Sequence, residues 1–347
     1  LEEFCSPAMR ILFIKLRHIG DSLLLTPTIA ATKKKYPHAE IWVLVRETCD
    51  GILAGCPEID RILTTANPDS AKRSKIGWLS DLKLAALLRR THFDFVFELT
   101  DNDRARFFAL AARTPMRCTN EHHRLKKIWR PIFHKIFNSD RRMMHRVEKD
   151  YTCPREILGL PFEPGPLRFD RSKMLPWKPE MYSSANFAVI HPFTRWPSKA
   201  WPIENWEALI PDLLNLFPRI IISCGPDPAE ITSAISLQSK FDSRVDCTCG
   251  SATWKNLAWL LDNAQLYIGV DTAAMHLAAA CSCPTVALFG PTPISEYHPW
   301  QNTHCLLSPE NTLNNINSNI NQKQLKLINP FIVYQSCLKL QNKILDN

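Results

Sequence analysis

Glycine is scarce in this chain, ten residues in 347, and the ten are spread so that no two lie two apart. That spacing excludes the G-x-G-x-x-G turn of a dinucleotide fold and the G-x-x-x-x-G-K-[ST] phosphate loop, which need glycine where the backbone closes on a ligand. It argues against an NAD-dependent oxidoreductase. No C-x-x-C occurs among twelve cysteines; the nearest pairs, Cys247/Cys249 and Cys281/Cys283, are C-x-C. The expectation is reduced, mostly buried thiols and no metal site. A long apolar run is missing too. The longest uncharged stretch, Thr272 to Ser295, contains Pro284, Gly290, Pro291 and Pro293 and reads as a helix, a strand and a turn rather than a membrane span. The first ten residues carry Glu2, Glu3 and Pro7 without the apolar core of a secretory leader, and Met9 reads as a candidate start. The expected setting is cytoplasmic.

What is present is an alternation. Arg10–Leu16, Glu40–Val45 and Phe93–Leu99 are rich in branched and aromatic residues and read as buried strands, with helices toward Tyr36 and over Leu79–Arg90 between them. Six prolines fall between Pro154 and Pro179, which reads as a linker. The pattern then restarts with Phe187–His191, Ile220–Cys224, Leu266–Val270 and Thr285–Phe289 as strands and helices between them. Two parallel-sheet α/β domains follow from this. The expected boundaries are 1–165 for the first domain, 166–184 for the linker, 185–328 for the second domain and 329–347 for a terminal helix. Asn329 before Pro330 is the start signal of that helix. Eight asparagines between Asn302 and Asn329 read as an irregular surface segment.

Four loops at strand ends carry candidate chemistry. In open α/β sheets, ligands bind beyond the carboxyl ends of the strands. The first loop is Arg17-His18-Ile19-Gly20-Asp21, in which Gly20 permits a tight turn and Asp21 is either a helix cap or a carboxylate able to take a proton from a substrate hydroxyl. The second, from His191 to Pro202, offers Thr194, Arg195 and Lys199, a neutral donor and two cations suited to a diphosphate. Trp201 and Trp206 read as structural. The third, Gly269-Val270-Asp271-Thr272-Ala273, puts free amides at a helix start, an anion site in which the Asp271 carboxylate caps the helix and leaves Thr272 and the amides to the ligand. His276 reads as a packed core histidine. The fourth places Asp227 after a strand, where an acid binds ribose hydroxyls or simply makes a turn.

Taken together, these residues resemble the heptosyltransferases of lipopolysaccharide core synthesis, glycosyltransferase family 9, nearest to its heptosyltransferase III branch. The matching stretches are RILFIKLRHIGDSLLLTP from Arg10, FDFVFELTD from Phe93, HHRLKKIW from His122, the H-P-x-T…K-x-W-P segment from His191, GVDTAAMHLAAA from Gly269 and TVALFGPT from Thr285. The resemblance implies a GT-B architecture, two Rossmann-like parallel-sheet domains facing a central cleft, with the acceptor on the first and the nucleotide-sugar on the second. It implies ADP-L-glycero-β-D-manno-heptose as donor, an inner-core heptose of lipopolysaccharide as acceptor, inversion at the anomeric carbon, and neither metal nor cofactor. By matching motif, Asp21 becomes the general base. Lys199 and Thr194 become diphosphate contacts with Arg195 beside them, Asp271, Thr272 and Ala273 the phosphate-binding helix start, and Asp227 the ribose acid. Ala273 stands where many relatives have glycine. The terminal helix is expected to pack back on the first domain.

Lysine and arginine exceed acids by eight, and the excess is local: from Arg104 to Lys149 there are thirteen basic residues against three acids. In the acceptor domain such a stretch, with Arg124, Lys126 and Arg130, would meet the Kdo carboxylates and phosphates of the inner core and an anionic membrane surface, together with Arg17, His18 and Gly20 at the cleft. The expected location is therefore the cytoplasmic face of the inner membrane, held peripherally. Nucleic acid is the competing partner for a basic chain; no periodic basic stripe with interleaved aromatics and no reader motif supports it. A diverged, non-catalytic sugar-nucleotide-binding homologue is the other reading.

Overall fold

The computed structural model describes residues 9–66, 77–122, 125–138, 144–183, 186–312 and 324–345, and divides into two units, Leu1–Arg168 and Phe169–Asn347. The first unit runs β1 (Arg10–Lys15), α1 (Ile19–Leu23), α2 (Thr26–Lys35), β2 (Glu40–Arg46), α3 (Asp50–Leu53), β3 (Arg61–Thr65), α4 (Gly77–Arg90), β4 (Phe95–Glu98), α5 (Asp103–Ala111), β5 (Met116–Asn120), β6 (Lys135–Phe137) and α6 (Arg146–Leu158). The second runs α7 (Pro179–Tyr182), β7 (Phe187–His191), α8 (Ile203–Leu213), β8 (Arg219–Ile222), α9 (Pro228–Gln238), β9 (Val245–Cys247), α10 (Trp254–Asn263), β10 (Leu266–Val270), α11 (Ala273–Ala280), β11 (Thr285–Leu288), α12 (Ile294–Tyr297), β12 (His304–Leu307), α13 (Pro309–Thr312) and α14 (Pro330–Leu345).

Each unit holds one six-stranded, all-parallel sheet, ordered β3-β2-β1-β4-β5-β6 in the first and β12-β11-β10-β7-β8-β9 in the second. Counted from its own first strand, the second sheet has the same order as the first, the doubly wound 3-2-1-4-5-6 arrangement. A parallel sheet covered on both faces demands strands apolar throughout, which is how β1, β2, β7 and β10 are composed and why they are buried along nearly their whole length. Strand order reverses between β1 and β4 in the first unit and between β7 and β10 in the second. Chain leaving those strands therefore lines each unit's crevice. The loops after β1 and β4, and after β7 and β10, are the ones that carry most of the sequence motifs.

The division falls at Arg168/Phe169, inside the stretch 166–184, and much of that stretch is packed: Met174, Trp177 and Tyr182 are buried, and Tyr182 Oη and Lys178 Nζ both bind Asp246. Proline density misled because Pro154 lies inside α6 and Pro179 starts α7, where its missing amide is no loss. The terminal helix α14, begun by Asn329 accepting from the Phe331 amide at 2.8 Å, packs on α8, β11 and β12. Val333, Cys337 and Leu340 recur on one face and complete the apolar core beside α8, burial the helix could not find in water. The Asn-rich segment begins as strand and short helix, β12 and α13, and 313–323 lie outside the described residues. The described cysteines are all free thiols. No helix among the described residues is long and apolar enough to cross a membrane.

Candidate active site

In the first unit the crevice is built on a buried charge. Lys15 ends the apolar strand β1 fully buried, with its ammonium ion-paired to Asp150 of α6 and donating to the Leu99 carbonyl at 3.1 Å. The chain then runs along β4's loop: the Leu16 amide donates to Thr100 Oγ1 at 2.7 Å, and Arg17 reaches the Thr100 carbonyl and Asp101 Oδ2, each at 3.1 Å. Arg146 donates to Asp101 from the other side at 3.4 Å and lies 3.3 Å from Asp150. Asp101 holds a left-handed backbone, φ 68°, which lets its amide and that of Thr100 both donate to the buried carboxylate of Glu98. Burial, then repulsion from Asp101, pushes Glu98 up to about 7.

Asp21 stands against this array. His18 is the cap of α1 and Asp21 its third residue, with Oδ2 accepting from the His18 amide at 3.4 Å. Oδ1 is buried without a hydrogen-bond partner. Both readings of Asp21 therefore hold, one oxygen serving the helix and the other unengaged. Burial would raise its pKa, but Lys15, Arg17 and Arg146 outweigh burial and hold it below the ordinary carboxylate value. The reverse influence is felt by Lys15, brought down to about 8 by burial first and Arg146 second, against the pull of Asp150 and Asp21. Gly20 needs no tight turn; it lies inside α1, its carbonyl accepting from Leu24, and the break follows Leu23, where α2 begins with Pro27 in its first turn.

Part of the charge in the basic stretch is paired. Arg104 binds Asp81, Arg106 and Lys126 share Asp103, and Arg130 binds Glu121. Most of these acids precede the stretch in sequence, which is why a window count overstated the free charge. Lys126 and Arg130 remain exposed at the surface, and Arg124 lies outside the described residues.

In the second unit, the loop after β7 ends in a single 3-10 turn, Pro197–Lys199, that carries Lys199 to Asp271 at the end of β10, Nζ to Oδ2 2.6 Å. Asp271 is thus an ion-pair partner and not the helix cap expected of it. Thr272 occupies the cap position of α11 but makes no side-chain cap bond, so the first-turn amides from Ala273 onward have no side-chain acceptor. Thr194 Oγ1 accepts from the Trp196 amide at 3.3 Å, and Arg195 is exposed. Asp227 caps α9, accepting from the Ala229 and Glu230 amides through Oδ1 alone and keeping Oδ2 for another donor. His191, lowered to about 4 by burial, is neutral; it contacts Ser223 Oγ at 2.9 Å, and that hydroxyl donates to the Ile190 carbonyl. His276 is buried, as expected of a core residue. Trp201 and Trp206 meet edge to face in the core.

Gly269 has a role that spacing does not disclose. Tyr267, two residues earlier on the same face of β10, folds fully buried over it, and a Cβ at Gly269 would stand 2.3 Å from the phenol oxygen. The phenol is turned toward the Thr272 hydroxyl, and neither group reaches hydrogen-bond geometry. Gly269→Ala is expected to cost about 1–3 kcal/mol of unfolding free energy, read by denaturant titration. Tyr267→Leu in the same background should recover part of the loss; no loss in the single variant would show that the ring has room to move.

The model of glycosyltransferase family 9 (heptosyltransferase) matches residues 82–326, most of the chain. The chain belongs to glycosyltransferase family 9. This family 9 enzyme is a glycosyltransferase. It is 28% identical over 300 residues to lipopolysaccharide heptosyltransferase 3 of Escherichia coli, covering 83% of this chain and 85% of that one. To lipopolysaccharide heptosyltransferase 1 of Salmonella typhimurium it is 24% identical over 319 residues, covering 89% and 98%. In fold it is similar to the E. coli heptosyltransferase WaaC solved with ADP, with TM-score 0.79, 20% identity and coverage of 96% and 100%. The same TM-score relates it to the family 9 glycosyltransferase of Veillonella parvula, at 20% identity and coverage of 96% and 97%. Both likenesses agree with the GT-B fold. Lys15, Glu98, Asp101, Arg146 and Asp150 escaped the sequence reading. Their signal was a lysine inside an otherwise apolar strand and an Arg/Asp pair four apart on a helix; neither names its partner until the sheet is assembled.

Proposed function

We propose that this family 9 enzyme transfers L-glycero-D-manno-heptose from ADP-heptose to an inner-core heptose of lipopolysaccharide, inverting the anomeric carbon without a metal. The observation that carries the reading is Lys199 held at the uncapped N-terminus of α11, a cation and a row of amides where the second sheet reverses its order. A diphosphate suits that place. The fold likeness to a heptosyltransferase solved with ADP, and to one solved with ADP-2-deoxy-2-fluoro heptose, supports the donor, and the names of the curated relatives support the acceptor.

In the reaction the acceptor oxygen bonds to the anomeric carbon as the bond to the diphosphate oxygen breaks, and its electron pair leaves with ADP. Asp21 takes the acceptor proton. A carboxylate held at low pKa is a weak base in the ground state, so it receives the proton late, when bonding to the sugar has made that oxygen acidic. Lys199 and the α11 amides neutralise charge growing on ADP, with Thr194, Arg195 and Thr272 as neighbouring donors and Ala273 at the helix start. Asp227 keeps one oxygen for a ribose hydroxyl. On the acceptor side, Arg17, His18 and Gly20 line the loop, and Arg124, Lys126 and Arg130 meet acidic core sugars and phosphates. Location is the inner face of the bacterial inner membrane.

Incubation with ADP-heptose and core saccharides truncated to known lengths tests the reading, with one added heptose expected by mass. In the same assay Lys126→Gln/Arg130→Gln should raise acceptor KM several-fold while ADP-heptose affinity stays unchanged, since the two lost cations act on an anionic acceptor at a screened surface. Binding of ADP-heptose without turnover would instead mark a non-catalytic binding protein.

A further inference from the structure

Helix α4 carries an outward stripe with no partner among the described residues. Its inner side is spent: Ala85 and Leu88 are buried in the core of the first unit, and Asp81 binds Arg104. Outside stand Trp78, Leu79 and Leu82, 59%, 45% and 47% exposed. At helical spacing they fall in two adjacent rows. Trp78, Leu82 and Arg89 make one, and Leu79, Lys83 and Arg90 the other, so each row starts apolar and ends in a cation. No acid lies on either row, and none of the three cations has an ion-pair partner among the described residues.

We propose that this stripe of α4 docks the protein on an anionic lipid bilayer, Trp78, Leu79 and Leu82 entering the headgroup boundary and Lys83, Arg89 and Arg90 meeting lipid phosphates. Large apolar groups exposed at one end of a helix whose other end is cationic are the composition of an interfacial helix, and tryptophan is among the side chains enriched at that boundary. Charge selects the occupant. A second copy of this chain would bring an identical stripe, three cations and no acid, whereas an anionic leaflet supplies many acids to each cation. The proposal rests on the reading that the acceptor is a lipid-anchored saccharide, and adds the surface by which the protein reaches it. That surface is distinct from the basic stretch Arg104–Lys149, in which Arg104, Arg106, Lys126, Arg130 and Arg146 are ion-paired.

Co-sedimentation with vesicles of phosphatidylcholine alone, and of phosphatidylcholine with about 30% phosphatidylglycerol, tests it. The intact protein should bind the anionic vesicles only and release in high salt. Trp78→Ser/Leu82→Ser, and separately Lys83→Gln/Arg89→Gln/Arg90→Gln, should each lower that binding about tenfold or more. Heptose transfer to a lipid-free core saccharide should be unchanged in both, which also shows that they fold. Wild-type failure to bind, equal binding by the variants, or a dimer abolished by the Trp78/Leu82 substitutions would each overturn the proposal. Absence of transfer to the lipid-free saccharide by the wild type would instead overturn the reaction assignment.

Discussion

Asp21→Asn should lower kcat by about 10²–10⁴-fold, the range that a positioned general base contributes, with ADP affinity unchanged. The substitution is close to isosteric, and the amide oxygen can still accept from the His18 N–H, so the start of α1 should survive. What goes is the ability to take a proton. The pH profile separates this carboxylate from the nearby imidazole of His18. Lys15, Arg17 and Arg146 overcome the burial penalty and keep Asp21 below its ordinary value. The acid limb of kcat/KM should therefore fall below the ordinary carboxylate range, and activity should persist at a pH where a histidine base of pKa about 6.5 would already be mostly protonated. A limb near pH 6, or full activity in Asp21→Asn, would sink the assignment. The same shift has a consequence for folding. Because the folded-state pKa lies below the unfolded one, ionised Asp21 contributes stability above the unfolded value, and that contribution is lost as pH falls through the folded value. Asp21→Asn removes it at neutral pH, so the variant should unfold at slightly lower temperature than wild type at pH 7, with the difference closing in acid.

Lys199→Ala should cost about 10²–10³-fold in kcat, the loss found when one preorganised charge stabiliser is removed. Two effects add. The cation that meets the leaving diphosphate is gone, and the Asp271 carboxylate, 7% exposed, loses the partner that neutralises it at 2.6 Å. An unpaired carboxylate beside a phosphate site repels the ligand, so ADP affinity should fall as well. The double variant Lys199→Ala/Asp271→Asn separates the two terms. It should regain part of the lost ADP affinity, because the repulsion is removed, yet stay as slow as Lys199→Ala in transfer, because nothing replaces the cation. If the double variant binds ADP no better than the single one, Asp271 matters for the fold of the β10–α11 junction and not for the charge of the site.

Much of the second unit's candidate site was legible because it is local. His191 to Pro202 and Gly269 to Ala273 each lie on one strand-to-helix connection, and where a strand ends its loop is at the crevice. The same locality placed Asp21. Errors arose where one residue had two possible partners. Asp271 was expected to cap its own helix and is paired instead with Lys199, a residue seventy-two positions away; the cap position alone could not weigh a short-range amide against a cation brought up by the β7 loop. Terminal helix α14 poses a related problem: its apolar face shows that it must dock, not which core is missing a face.

The sequence by itself determined that there are two parallel-sheet units, that each ends its central strands in polar motifs, and that no dinucleotide glycine turn or phosphate loop is present. Those properties are set by composition and by periods of two to four residues. Only the tertiary structure decided how the buried charges are balanced. Lys15 finds Asp150, Arg146 divides itself between Asp101 and Asp150, and their summed field fixes the state of Asp21. It also decided that part of the basic excess is paired, while the three cations of α4 have no ion-pair partner among the described residues and stand beside exposed tryptophan and leucine. Net charge is a sum over the chain, but the potential at a site depends on distance and burial, and those exist only once the strands are side by side.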